Sequence, residues 1–117
     1  MNNSNHTSNT LHDQAMHLAN QAMDASKKDD ATQAKQYFKE AYQLEQQAAM
    51  TLVNDFEQEP SRSVLFRSAA YLALKAELYR EAERMAAFGL SGNPPNEIAD
   101  ELRDVFSKSV EYLKMVA

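Results

Sequence analysis

Two glycines and three prolines are the only strong helix breakers in 117 residues, and that scarcity constrains the fold more than any other feature. The remaining chain is dominated by Ala, Gln, Glu, Leu, Met and Lys, which lose little side-chain entropy in a helix. No segment alternates apolar and polar residues with period two, so no strand is expected. Apolar residues recur instead at spacings of three and four, as the buried stripe of a helix requires. With 44% hydrophobic and 25% charged residues, the composition is that of one ordinary globular domain.

The polar stretch from Met1 to Thr10 has nothing apolar to bury and is expected to be a disordered tail. It lacks a basic segment followed by an apolar one, so it does not read as a secretory leader. A single helical domain then covers 11–117. Helix one is expected from Leu11 to Lys27, capped by Thr10, with a stripe of Leu11, Ala15, Leu18, Ala22 and Ala25. Helix two begins after Asp30, whose carboxylate caps the free amides. Its stripe of Ala34, Phe38, Ala41, Ala48, Leu52 and Phe56 predicts a long helix lasting until Pro60. Its far end, Ala48 to Phe56, is expected to pack on helix five or on a second copy of the chain.

Helix three is placed at Ser61–Lys75, entered through Pro60, and helix four at Leu78–Ser91, closed by a left-handed Gly92. Helix five follows Asn93 as cap and Pro94 as first residue, with a stripe from Ile98 to Val116. Short links make sequence neighbours antiparallel neighbours in space.

The chemistry open to this chain is narrow. A formal charge of −5 disfavours a general nucleic-acid binder, which needs a basic face to displace counterions. Without cysteine there are no disulfides, thiol nucleophiles or zinc–thiolate sites. The only glycines, Gly89 and Gly92, cannot build a phosphate-cradling loop or a nucleophile elbow. His6 lies in the polar tail. His12 and His17 fall on different helix faces and read as solvent-exposed polar residues. A carboxylate di-metal bundle needs a Glu-x-x-His pair on two helices, and none occurs. The longest unbroken apolar run, Ala69 to Leu74, is far below the ~18 residues of a membrane span. No cofactor, metal, nucleic acid or membrane is expected, and the cytoplasm is the expected location.

Several residues of the second half fit a repeat. Counting Ser63 as a first position, Phe66 takes a large aromatic slot and Ala70 a small slot at a close helix crossing. Tyr79, Ala82, Leu90 and Pro94 follow at matching positions. On these residues Ser63 to Asn96 resembles one tetratricopeptide unit, a helix–turn–helix repeat of about 34 residues. Ala69, Ala73, Glu77 and Ala86 depart from the usual pattern, which implies tighter packing or filling by neighbours. If Ala34 matches Ala82, then Ala22 matches Ala70, and a first unit starts at Ala15, 48 positions before Ser63. Leu11 to Asp55 alone also resembles the helical hairpin of microtubule-interacting and transport domains. The stretches Glu59–Ala70, Gly92–Pro95 and Glu101–Asp104 are similar to small bacterial proteins, a likeness that implies no activity. The resemblance implies an all-α, five-helix, right-handed superhelix of tetratricopeptide-like hairpins with one long second helix.

In such hairpins the first helix lines a concave, ligand-facing surface. The implied positions are Val64, Arg67, Tyr71, Leu74 and Lys75 on helix three, and Met16, Ala19, Met23, Ser26 and Lys27 on helix one. From Ser61 to Arg80 the chain carries Arg62, Arg67, Lys75 and Arg80 against the single acid Glu77, a basic region on an acidic protein. A groove lined by methionine and aromatic side chains, with cationic rims, suits an acidic peptide or partner helix. The expected function is therefore a non-catalytic protein-binding module. The alternative is a structural homo-oligomer, such as a homodimer, in which the same face is self-complementary.

Overall fold

The computed structural model describes the backbone of residues 3–116 and side chains from Thr7 to Val116. Among these residues there are five helices and no strand: α1 (Asn3–Lys27), α2 (Ala31–Met50), α3 (Ser61–Lys75), α4 (Tyr79–Leu90) and α5 (Asn96–Val116). The all-α expectation is met. Each helix packs on the next in sequence, and α3 also meets α5, whereas α1 and α3 make no comparable contact. The shortest dimension of the molecule is 22 Å, which is two helix diameters of ~10–12 Å.

The core explains why two layers come so close. Ala15, Ala22, Ala41, Ala48, Ala69, Ala70, Ala73, Ala82 and Ala86 are all fully buried, so backbones approach where larger side chains would hold them apart. Ala70 and Ala82 lie in the paired helices α3 and α4. Gly89 carries this furthest. A Cβ there would stand 2.8 Å from Leu102 Cδ2 and 3.1 Å from Phe66 Cβ, so any larger residue would have to push Leu102 aside where α4 meets α3 and α5.

The two hairpins turn in the same way. After α1, Asp29 adopts φ 58°; its N–H donates to Ser26 O at 3.1 Å, and Asp30 N–H donates to Ala25 O at 2.9 Å. After α3, Glu77 adopts φ 61°; its N–H donates to Leu74 O at 3.0 Å, and Leu78 N–H donates to Ala73 O at 2.8 Å. Both are Schellman turns with a non-glycine residue in the left-handed position. Asp29 and Glu77 are 48 positions apart, the same offset that relates Ala15 to Ser63, and the next helices begin at Ala31 and Tyr79 with that spacing again. As expected, Asp30 caps α2, accepting from Gln33 N–H at 3.1 Å.

Four boundaries differ from the sequence expectation, each for a tertiary reason. First, α1 begins at Asn3 rather than Leu11. Ser8 is buried and its hydroxyl donates to Ala48 O at 3.1 Å and contacts Thr51 Oγ1, so polar side chains fasten a segment that has no apolar stripe.

Second, α2 is not the long helix: it ends at Met50. Thr51 Oγ1 donates to Ala48 O at 2.7 Å. The chain then tightens into turns such as Leu52 N–H to Ala49 O and Asp55 N–H to Leu52 O, both 3.0 Å. Val53 O, which a continuing helix would give to Glu57, accepts instead from Arg62 Nε and Nη2 at 3.1 and 3.0 Å. In consequence Leu52 enters the core beside Leu65 and Phe56 lies against Arg62, rather than on α5.

Third, Gly92 has no positive φ. Its missing side chain instead makes room for the Arg62 guanidinium, since a Cβ would lie 2.4 Å from Nη1. Fourth, α5 starts at Asn96 rather than Pro94, and Asn93 N–H is held by Glu59 Oε2 at 3.1 Å.

Candidate functional site

A groove of about 840 Å³ opens between the last turns of α1, the first turns of α2 and the last turns of α3. Ala19, Met23, Phe38, Tyr71 and Leu72 line its floor and walls, with Lys27, Lys35, Lys75 and Glu77 around it. Met23 is 51% exposed, although it is one of the larger apolar side chains in the protein. Lys35 spans one wall to Glu77 at 2.7 Å. That pairing raises the Lys35 pKa, first through the hydrogen bond and then through the carboxylate's charge. Three lysines against one glutamate leave the groove positive on a chain of charge −5.

Of the residues expected to face a ligand, the groove gathers Met23, Tyr71 and Lys75, together with Ala19, Ser26 and Lys27. It does not gather the others. Arg67 pairs with Glu101 of α5 at 3.1 Å, so that cation ties α3 to α5. Met16 is partly buried against the core. Val64 lines a separate cavity near the start of α1, and Leu74 lines a notch beside Tyr79 and Tyr112. The basic residues counted along α3 therefore do not share one face. Arg62, the most N-terminal of them, is fully buried. The lysines that do meet in the groove come from three helices. Lys35 and Phe38, on α2, were missed by sequence reasoning because the resemblance points to first helices only.

A second cluster contradicts the reading of His12 as solvent-exposed. His12 Nδ1 lies 2.8 Å from Glu45 Oε2 and 3.0 Å from Oε1, and Glu45 is fully buried. Loss of hydration pushes the Glu45 carboxyl above its ordinary value of 4.5, while hydrogen bonding from Ser68 and the charge of His12 pull the other way. The signal in the sequence was positional: His12, Ala15, Ala19 and Ala22 follow helical spacing, as do Ala41, Glu45 and Ala48. His6 lies outside the residues whose side chains are described.

The burial of the Glu45 carboxyl has a measurable consequence. A carboxyl whose pKa is raised by folding binds its proton more tightly in the native state, so its contribution is present below the ordinary value. It is lost as pH rises from 4.5 towards the raised one, at up to ~1.4 kcal/mol per pH unit. Glu45→Gln should flatten the fall in stability across that window, as read from urea midpoints between pH 4 and pH 8. Parallel curves for the two proteins would assign the pH dependence to other groups.

Among the described residues no three acidic or histidine side chains converge as metal ligands, and no helix is long and apolar enough to cross a membrane. Comparison of the chain with protein-family models, with curated proteins and with solved structures returned no match.

Proposed function

We propose that the protein is a non-catalytic, tetratricopeptide-like binding module, a right-handed superhelix that receives an acidic segment of a partner protein in the groove between α1 and α3. The supporting observation is the groove itself, an open apolar trough whose rim carries Lys27, Lys35 and Lys75 while the chain as a whole is acidic. Apolar surface supplies the driving force on burial. The cations select carboxylate-bearing partners and speed encounter. A cytoplasmic setting fits this role.

A random peptide library displayed against the full chain tests the reading. Enriched peptides should be rich in Asp and Glu. Lys27→Glu combined with Lys75→Glu should weaken them by about tenfold or more, roughly 1.4 kcal/mol, with the helical circular dichroism unchanged. Both lysines are exposed, so the substitutions do not disturb the core. A library that yields no peptide, or peptides held equally by the charge-reversed protein, would defeat the proposal. Light scattering on the same samples shows whether the apolar groove is instead closed by a second copy.

A further inference from the structure

The second hairpin contains an internal guide to what the first one lacks. The matching Schellman turns place Lys27 opposite Lys75, Ser26 opposite Leu74 and, at the first position of the following helix, Ala31 opposite Tyr79. In the second hairpin Tyr79 lies parallel to Tyr112 of α5, with ring centroids 4.7 Å apart and planes 7° apart. Leu74, Lys75 and Lys108 border the same notch, which is only about 350 Å³. In the first hairpin the corresponding space is the 840 Å³ groove, bordered by Ser26, Lys27 and Ala31. There the methyl group of Ala31 stands where the second hairpin has a phenol ring, and Tyr71 of α3 is an aromatic side chain lining the same groove.

We infer that the groove takes an aromatic side chain from an acidic partner segment, seated over Ala31 where the second hairpin seats its own Tyr79. The inference rests on the binding role proposed above and adds the anchor that sets its specificity. A flat ring fits because Met23, Phe38 and Tyr71 all line the groove, and ring–ring and sulfur–ring contacts add to simple burial. The neighbouring acids of the partner are dictated by Lys27 and Lys75, for which no ion pair is found among the described residues, whereas Lys35 is already engaged by Glu77.

The experiment uses two acidic peptides of equal length and charge, one with a central phenylalanine and one with alanine there, titrated against the full chain. The phenylalanine peptide should bind about tenfold tighter or more, and the Met23 methyl resonance should move upfield from the ring current. Ala31→Tyr, at an exposed first helical position, places the chain's own ring in the seat and should abolish that preference while leaving weak binding of both peptides. Should this variant lose helicity, the Met23 shift in the wild-type protein decides alone. Equal affinity for the two peptides without a Met23 shift overturns the aromatic seat and leaves the acidic-segment reading standing. Failure of both peptides to bind overturns the two together.

Discussion

Replacing Arg62 with alanine is expected to lower the unfolding free energy by about 3–5 kcal/mol, the range for breaking a buried, hydrogen-bonded charge. Arg62 is fully buried, and its guanidinium engages both carbonyl and ring partners through Nε, Nη2 and its planar face. It donates twice to Val53 O and reaches Ser91 Oγ at 3.5 Å. Its planar group lies 4.8 Å from the Phe56 ring centroid and 5.0 Å from that of Phe66. Burial lowers its pKa while the Glu59 carboxylate nearby raises it, and Glu59 in turn accepts from Ser63 N–H at 2.9 Å and Asn93 N–H at 3.1 Å. One atom, Nη1, is buried without a hydrogen-bond partner. Loss of the side chain strands Val53 O and empties the space beneath Gly92. Arg62→Lys should recover little, because a single ammonium cannot reproduce a flat fork that both stacks and donates twice. Chemical denaturation with an unchanged m-value is the measurement. A loss under about 1 kcal/mol for the alanine variant would show that the turns at 51–60 hold without it.

Phe66→Ala should cost a similar amount, about 3–5 kcal/mol for a fully buried aromatic replaced by a methyl group. Phe66 is completely inaccessible, stacks on Phe88 at 5.7 Å and supports the point where Gly89 and Leu102 meet. It is therefore shared by α3, α4 and α5. Its ring also lies 5.0 Å from the Arg62 guanidinium, so the double substitution should cost less than the sum of the two single ones. Strict additivity in that double-mutant cycle would mean that the ring and the guanidinium do not support one another.

The fold was legible wherever local chemistry decides it. Both ends of α3, the cap at Asp30 and the end of α1 at Lys27 follow from residues within one turn of the boundary. The errors arose where a distant side chain decides. Nothing near Met50 announces the end of α2, because Arg62 takes the Val53 carbonyl from nine positions away. Nothing near Asn3 announces the start of α1, because its anchor, Ser8, is satisfied by Ala48 and Thr51. Of the residues expected at the site, Met23, Tyr71 and Lys75 come together in the groove, whereas Met16, Val64, Arg67 and Leu74 lie elsewhere. Lys35 and Phe38 were not foreseen, since they join the groove only through the way α2 lies beneath it. Glu45, Arg62 and His12 were each visible as an ionisable residue at a helical spacing reserved for apolar ones.

The molecule has a fastened end and an open end. Near the fastened end, Ser8 and His12 on α1, Glu45 and Ala48 on α2, and Arg62 with Glu59 at the entry to α3 tie together the starts and stops of the first three helices. At the other end lies the groove, where the exposed Lys35–Glu77 pair joins α2 to the turn after α3. The side chains that lock the fold, Arg62 and Glu45 among them, and the side chains that line the groove, Met23, Tyr71 and Lys75 among them, are thus separate sets. Substitutions in the groove can therefore alter what it receives without touching the polar contacts that hold the first three helices.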